Sequence, residues 1–171
     1  DVVRFTRGCG DRPLLSGRRS CEDAAWGGRG GSLKIGMCAT RYENMISRKG
    51  EAVARRLYLR FIQTWASQVA HLDDDLFDPD ASPTRVTVEA ALRAYEMETD
   101  AQFPQDPTVQ LAGVLRAMAR AWETTSARLL RQAKNAPADA GLGLIVQEMA
   151  LGVGPDESGS GVMQFIEPVT G

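Results

Sequence analysis

The sequence feature that most constrains the fold is a short apolar run near the C-terminal end of the chain. Gly143–Gly152 has the sequence GLIVQEMALG, in which apolar and β-branched residues are bounded by glycines. This pattern indicates a β-strand. An isolated pair of strands is only marginally stable in water, so such a strand needs partners. The last third is the part of the chain that most clearly predicts sheet, and further partner strands are not obvious elsewhere.

The residues that follow predict a wide antiparallel hairpin. Gly152–Gly161 combines Gly, Pro, Asp and Ser and indicates a loop. Val162–Ile166 predicts a second strand, which Pro168 ends. Two strands joined by a loop of about ten residues form the predicted hairpin.

The middle of the chain predicts helices. The clearest spans 51–70, where apolar residues recur every four positions and form one stripe. A second helix is predicted over 88–98, and a third begins at Pro107 with Asp106 as its N-cap. Ser126 is predicted to cap a last helix. The apolar stripe of the first helix consists of Val53, Leu57, Phe61, Trp65 and Val69.

The order of these elements predicts an α+β fold with a helical insertion. Residues 1–40 are rich in glycine and arginine and are expected to be largely irregular, with a short candidate strand at 13–16. Residues 41–135 form the helical block, and residues 136–171 contain the hairpin.

Composition excludes some classes of function. The 171 residues are 43% hydrophobic and 25% charged, which is typical of globular proteins. The net charge of −2 provides no electrostatic attraction for nucleic acid or an anionic membrane. No apolar run approaches the roughly 18 residues that span a bilayer. The chain begins at Asp1 without methionine and ends within a predicted turn, so we expect a piece of a longer protein.

The cysteines and the single histidine do not predict a metal site. The odd number of cysteines, with no close pair, favours reduced thiols and a cytoplasmic location. His71 has no second histidine for a metal site or proton relay and is expected at the surface, where a helix ends. The three cysteines are Cys9, Cys21 and Cys38.

An acidic segment follows His71. Five aspartates between residues 73 and 80 suggest a calcium loop, but their spacing, the missing glycine and Pro79 do not fit an EF-hand. A solvated connection is the favoured interpretation.

A glycine-rich segment near the start is the other candidate binding site. Trp26–Ser32 has the sequence WGGRGGS, which lets backbone N–H groups approach an anion, with Arg19 or Arg29 adding charge. It lacks the Gly-Lys-Ser/Thr ending of a P-loop. From this motif alone, a plain flexible loop is the favoured interpretation.

Several short motifs, in order along the chain, resemble the ATP-binding N-terminal region of pyruvate phosphate dikinases. In that family the corresponding motifs are PLLVSVRSGAR, ILNIGL, RRFIQ, DLFE, FPQDP, VQxMVFGN and DSGTGVAFTRNPSTGE. The matching residues here are Pro13–Leu15 with Arg19-Ser20, Leu33–Met37, Arg60–Gln63, Leu76-Phe77, Phe103–Pro107, Val146–Met149 and Asp156–Val162, then Pro168–Gly171.

The resemblance implies an ATP-grasp fold, in which two α+β parts clamp ATP and a helical subdomain lies between them in sequence. It implies a phosphotransferase that moves a phosphoryl group from ATP to a histidine on another domain and then to pyruvate, giving phosphoenolpyruvate. ATP and Mg²⁺ are the implied cofactors. The partners implied in a longer protein are the phosphohistidine and pyruvate/phosphoenolpyruvate domains.

The resemblance also assigns site residues. Arg19 matches a phosphate-binding arginine, and the phosphate loop SMPGMMDT corresponds to Trp26–Ser32, which contains Gly27, Gly28, Gly30 and Gly31. The strand that borders adenine matches Gln147, Glu148 and Met149, whose other role is that of an ordinary sheet strand.

The departures from the family motifs define a competing hypothesis. Asp23 replaces a second arginine, Trp26 enters the phosphate loop, and Phe165-Ile166-Glu167 replaces TRN. An upstream lysine segment, a D-x-E…LQTR stretch and a TSH motif are absent, so we do not expect this chain alone to catalyse the dikinase reaction. The alternatives are a degenerate, non-catalytic binding module and a helical scaffold that resembles the family only in shape.

Overall fold

The structure is a computed structural model that describes residues 13–23, 26, 31–77, 87–153, 157–159 and 161. Over these ranges the chain forms helices and a small antiparallel sheet, which is an α+β arrangement. The elements are β1 (Leu15–Ser20), β2 (Gly31–Ile35), α1 (Ala39–Lys49), α2 (Glu51–Gln68), a 3-10 helix (Asp74–Phe77), α3 (Val88–Thr99), α4 (Pro107–Trp122), α5 (Thr125–Ala133) and β3 (Gly143–Glu148).

The three strands form one antiparallel sheet in the order β2–β1–β3. β3 pairs with β1 along its whole length, from Glu148 opposite Leu15 to Gly143 opposite Ser20. The strand predicted from the C-terminal apolar run is confirmed, although it ends at Glu148. The hairpin partner predicted over 162–166 lies outside the described residues. Because 143–148 joins a sheet beside 15–20, the alternative of a purely helical scaffold is wrong.

The candidate strand at 13–16 overlaps the start of β1, which continues to Ser20, whereas the expectation of irregular structure is wrong for β2. β1 contains Gly17 and two adjacent arginines, and β2 contains a glycine and Lys34, so neither segment has the alternation typical of a strand. The pairing of β1 with both β2 and β3, and the packing of β1 and β2 against α4, override the weak local preference.

A β-bulge interrupts β2 at Lys34. Leu15 lies opposite Ile35, whereas Gly17 lies opposite Ser32, so β2 has one more residue than β1 between these pairs. Lys34 has a φ of 65°, a left-handed conformation that is uncommon for a residue with a side chain. The bulge takes Lys34 out of the regular alternation of the strand.

Helix α2 runs through the centre of the core and contacts β2, α1, α3 and α4. The predicted helix is confirmed, and Phe61 and Trp65 are buried as predicted. The predicted stripe is displaced at its start: Val53 and Leu57 are only half-buried. Because neighbours pack on several sides of this helix, its buried surface is wider than one stripe. The buried residues of α2 are Ala54, Tyr58, Leu59, Phe61, Ile62, Trp65 and Ala66.

Phe103 lies at the centre of an aromatic cluster. Its ring centroid is 5.2 Å from that of Tyr95, 5.8 Å from Phe61, 5.9 Å from Trp65 and 6.3 Å from Tyr58, all in edge-to-face geometry. The Trp65 indole Nε1–H donates to the Tyr95 hydroxyl at 3.2 Å. This hub joins α2, α3 and the segment before α4.

Gln110 of α4 is fully buried, and its amide is satisfied on both sides. Its Oε1 accepts from the Gly36 N–H at 2.8 Å, and its Nε2 donates to the carbonyl oxygens of Met37 at 2.8 Å and Pro104 at 2.7 Å. The segment after β2 is thereby fixed to α4, so these bonds help to set the distance between sheet and helix.

The helix boundaries confirm some predicted caps and correct others. Asp106 caps α4 as predicted, because its Oδ1 accepts a hydrogen bond from the Thr108 N–H at 2.7 Å. Ser126 is not the cap of α5; Thr124 is, because it has the extended backbone of an N-cap, while Ser126 lies in the first turn. Helix α1, with only Tyr42 and Met45 buried, was not separately predicted.

Cys38, which the sequence predicted to be a reduced thiol, is disulfide-bonded. Neither the number of cysteines nor their spacing in the sequence could reveal this bond, because disulfide pairing depends on distances in the folded chain. Cys21 is a free, half-buried thiol. None of the helices in the described ranges combines the length and hydropathy that crossing a bilayer requires.

Candidate functional site

A cavity of about 310 Å³ lies where β1 ends and β2 begins, beside the C-terminal ends of α2 and α4. Its volume is at the lower end of the range for small-molecule sites, which suits a small anion or one part of a larger ligand. The cavity is lined by residues of both strands and both helices: Arg19, Gly31, Ser67, Gln68, His71, Met118 and two alanines of α4.

Arg19 lies on the face of β1 that α4 covers. Residues two apart on a strand share a face, and a Cβ built at Gly17 would lie 3.4 Å from Cε of Met118. Arg19 is half-buried and lines the cavity, while its neighbour Arg18 is exposed on the other face. The fold therefore gives these two adjacent arginines different environments.

Gly31 begins β2 and places its backbone at the same cavity. Gln68 Nε2, at the end of α2, donates to the Gly31 carbonyl oxygen at 3.1 Å. Of the four predicted phosphate-loop glycines, Gly31 is therefore beside Arg19. Gly27, Gly28 and Gly30 lie outside the described residues, so their role stays a prediction.

His71 reaches the cavity because of the way α2 ends. The Leu72 N–H donates to the Ala66 carbonyl oxygen at 3.0 Å, and His71 has a φ of 59°. This is the left-handed position that closes many helices and usually holds glycine or asparagine. His71 is exposed, as predicted, but it also lines the cavity, which its sequence position alone could not show.

The permanent charge in the described lining of the cavity is that of Arg19. Over the described parts of the chain, the Arg19 and His71 side chains form no hydrogen bond or ion pair, and no carboxylate lines the cavity with them. Arginine without a counter-charge attracts anions, and its planar guanidinium suits phosphate oxygens. The arrangement can therefore bind an oxyanion.

The predicted adenine-side residues Gln147, Glu148 and Met149 lie at the other end of the sheet. Arg19 is opposite Leu144, four residues before Glu148. At about 3.3 Å per residue, this offset is roughly 13 Å along the strand. The structure thus places Arg19 and Gly31 together and does not bring them to the residues at the end of β3.

The end of β3 offers backbone groups rather than a side-chain cluster. The Met149 N–H donates to the Leu14 carbonyl oxygen at 2.8 Å. In an antiparallel ladder, the N–H and C=O of the preceding residue, Glu148, then point away from β1. Among the strands the structure describes, none pairs with this edge. A donor and an acceptor on one strand edge can recognise a planar base.

Lys34 is a cation that the sequence analysis did not select. Its backbone N–H donates to the Met149 sulfur at 3.0 Å, which connects the bulge of β2 to the end of β3. Burial, and then the nearby Arg60 guanidinium, lower the pKa of the Lys34 amine. The signal in the sequence is a lysine inside the otherwise apolar run LKIGM.

The turn after β1 holds two of the residues that depart from the family motifs. The Trp26 N–H donates to the Asp23 carbonyl oxygen at 3.1 Å, and Asp23 is exposed. This turn is at the same end of the sheet as Arg19. As for metal binding, the described residues contain no group of three or more His, Cys, Asp or Glu that could hold an ion. The described lining of the cavity offers an arginine for an oxyanion and contains no carboxylate.

Comparisons with known proteins agree with the resemblance in the motifs. No family model matches the chain. The chain is 28% identical to pyruvate, phosphate dikinase of Clostridium symbiosum in an alignment 181 positions long. This alignment covers 93% of this chain and 20% of that protein. The chain is 28% identical to the pyruvate, phosphate dikinase of Rhizobium meliloti (strain 1021) over 180 residues, covering 94% and 20%. The chain is therefore distantly related to these dikinases and spans about a fifth of their length.

Proposed function

We propose that this chain is the ATP-binding part of a pyruvate phosphate dikinase-like phosphotransferase, with an ATP-grasp-like fold. The observation that carries the proposal is the cavity that Arg19 and Gly31 share. Both were assigned to phosphate from the sequence motifs. In the proposed organisation, residues 1–40 and 136–171 supply the nucleotide-binding parts, and residues 41–135 form the helical subdomain between them.

The cavity is the proposed phosphate end of the site. Arg19 supplies a guanidinium, and Gly31 contributes to the lining beside it. The walls from α4 are apolar, which strengthens an electrostatic contact relative to bulk water. These are the features that hold a phosphoryl group during transfer.

The end of β3 is the proposed adenine end. The outward N–H and C=O of Glu148 would pair with the base, and Met149 would contact its ring. The offset of roughly 13 Å along β3 suits an extended nucleotide that has its base at one end and its phosphates at the other. In this arrangement the nucleotide follows the sheet.

Mg²⁺ belongs to the proposed site, but this chain's described residues supply the phosphate contacts. When bound, the ion neutralises charge that develops on the phosphates. We propose that its carboxylate ligands, the phosphoryl-accepting histidine and the pyruvate site belong to regions beyond the fifth of the dikinases that this chain matches. The proposed cycle, from ATP to a histidine and then to pyruvate, requires those regions.

The alternative function is a non-catalytic module that keeps the fold and has lost the nucleotide site. The observation that favours it is Asp23, an exposed carboxylate in the turn beyond Arg19. A carboxylate near phosphate oxygens repels them. The two proposals differ in whether Mg·ATP binds.

Calorimetric titration of Mg·ATP into the chain at low salt tests the proposal. We expect binding that Arg19→Ala weakens by at least tenfold, since one charge-assisted arginine–phosphate contact contributes about 1.5–3 kcal/mol. Arg18→Ala is the matched control, because Arg18 is the adjacent arginine on the exposed face.

Equal weakening by Arg18→Ala and Arg19→Ala would contradict the proposed site, since the contact would then be non-specific. If Mg·ATP does not bind, the same titration is repeated on a longer protein that contains this chain. Absence of binding there as well would favour the non-catalytic module.

A further inference from the structure

We propose that His71 is a second anion-binding group of the cavity and makes oxyanion binding there depend on pH. The proposal rests on the phosphate end of the function proposed above. The sequence motifs did not assign any binding role to His71. The structural observation is that His71, at the end of α2, lines the same cavity as Arg19 of β1.

The backbone geometry explains why the imidazole is available. The left-handed conformation of His71 closes α2 and turns the chain at that residue. Such a position costs free energy for a residue with a Cβ, and glycine or asparagine would occupy it more readily. In this conformation His71 lines the cavity together with Arg19, whose side chain has no ion-pair partner in the described part of the chain.

The charges around the cavity determine the direction of the effect. In the described residues, the strands contribute Arg19 and the Gly31 backbone, and the end of α2 contributes Ser67, Gln68 and His71. The wall from α4 contributes only alanines and Met118, so it adds no charge. Among the residues that the structure describes, Arg19 and His71 are thus the ionisable groups that line this cavity.

A histidine changes charge between pH 5 and 8, whereas arginine stays charged. Protonation of His71 therefore raises the charge of the lining from about +1 to about +2. An oxyanion binds the protonated form better, so its affinity rises as the pH falls. By linkage, a bound oxyanion favours the protonated imidazole to the same extent.

The ligand class is a tetrahedral oxyanion, supplied as a phosphoryl group of a nucleotide or as a free anion. The small volume and the planar guanidinium of Arg19 suit clustered oxygens, and Ser67 and Gln68 make the remaining lining from α2 polar. Sulfate is the sharper first probe, because it does not titrate in the range where histidine does. Mg·ATP then distinguishes a nucleotide phosphate from a free oxyanion.

Because the chain contains a single histidine, its imidazole gives one assignable NMR signal. The signal is titrated from pH 5 to 8 in sodium sulfate and in sodium chloride at equal ionic strength. We expect sulfate to raise the titration midpoint by about 0.5–1 pH unit, which corresponds to a three- to tenfold preference of sulfate for the protonated form. An unchanged midpoint would overturn the proposal.

Variants separate a cavity site from general surface charge. Arg19→Ala should abolish most of the sulfate-dependent shift, while Arg18→Ala should retain it. His71→Asn, which suits the left-handed backbone, should bind sulfate with an affinity that no longer rises as the pH falls. A shift that survives Arg19→Ala, or a pH dependence that survives His71→Asn, would overturn the proposal.

The outcome is separable from that of the proposed function. A sulfate-dependent shift without Mg·ATP binding would support the oxyanion site and count against the nucleotide site. Mg·ATP binding that depends on Arg19, without any change in the histidine signal, would support the nucleotide site and exclude the role of His71.

Discussion

Two regions of the molecule contain residues that match the dikinase motifs, and they differ in how their polar groups are satisfied. Around Phe103 and Gln110, aromatic rings pack edge to face and each amide group of the glutamine has a partner. At the cavity, Arg19 and His71 lack partners among the described residues, and His71 has a left-handed backbone. In the Phe103 and Gln110 region the polar groups are satisfied within the protein, whereas the side chains at the cavity are available to bind a ligand.

This difference separates two reasons for a sequence to match a motif. The FPQDP residues build the junction of α4 with α2 and α3, so we infer that their match carries information about the fold. The backbone of Arg19 belongs to the pairing of β1 with β3, but its side chain has no hydrogen-bond or ion-pair partner among the described residues. We therefore infer that the match of this side chain carries information about binding. Mutations in the two regions should therefore affect different measurements: stability in the first and ligand affinity in the second.

The largest effect on stability is expected for Phe103→Ala. Phe103 is 5% exposed and contacts four aromatic rings, so its removal leaves a cavity in the core. We expect a loss of about 3–5 kcal/mol in the free energy of unfolding, measured by urea denaturation. Met97→Ala is the control, because Met97 is 85% exposed and should change stability by less than about 0.5 kcal/mol. Similar values for the two variants would contradict the idea of an aromatic hub.

A smaller but still large effect is expected for Gln110→Met. This substitution keeps the length of the side chain and removes three hydrogen bonds, which leaves the Gly36 N–H and the Met37 and Pro104 carbonyl oxygens without their buried partner. We expect a loss of about 2–4 kcal/mol by urea denaturation. Gln132→Met on the exposed α5 should be nearly neutral. A loss below about 1 kcal/mol would show that water or rearrangement replaces the bonds.

The sequence predicted the helices, and Arg19 of the candidate site, better than it predicted the sheet. Helix α4 was predictable because Asp106-Pro107 is a strong start signal and local hydrogen bonds determine it. β2 was not, because Gly31 and Lys34 have low strand preference and the partner strands come from distant parts of the chain. Arg19 was found from the motif resemblance.

His71 and Lys34 show why the rest of the site was not predictable. His71 reaches the cavity only because α2 ends with a left-handed residue, which the sequence HLDDD does not signal. Lys34 is half-buried only because a bulge in β2 displaces the register against β1. Both features depend on how the chain ends or pairs an element, which no periodicity records.

The smallest effect is expected for Lys34→Met, and its sign is opposite to that of the core variants. The folded protein holds the Lys34 amine in a half-buried position beside Arg60, which lowers its pKa. The lowered pKa means that the charged amine is less favourable in the folded protein than in the unfolded chain, where water hydrates it better. Methionine retains the apolar stem and the left-handed backbone and removes the charge. We expect a gain of a few tenths to about 1 kcal/mol in the free energy of unfolding at pH 7.

The pH dependence of this gain tests its cause. Between the lowered folded pKa of Lys34 and the ordinary lysine value of about 10.4, the unfolded chain binds more protons than the folded one, so wild-type stability from this group rises with pH. Methionine removes that rise, and the advantage of Lys34→Met should shrink as the pH approaches 10. Because the comparison is between two variants, the tyrosines contribute equally to both and cancel. Lys134→Met, at an exposed position, should show neither the gain nor its pH dependence. A gain that stays constant with pH would assign the effect to packing rather than to the buried charge. Lys34 would then contribute to the protein through its apolar stem, like the core residues, and not through its charge.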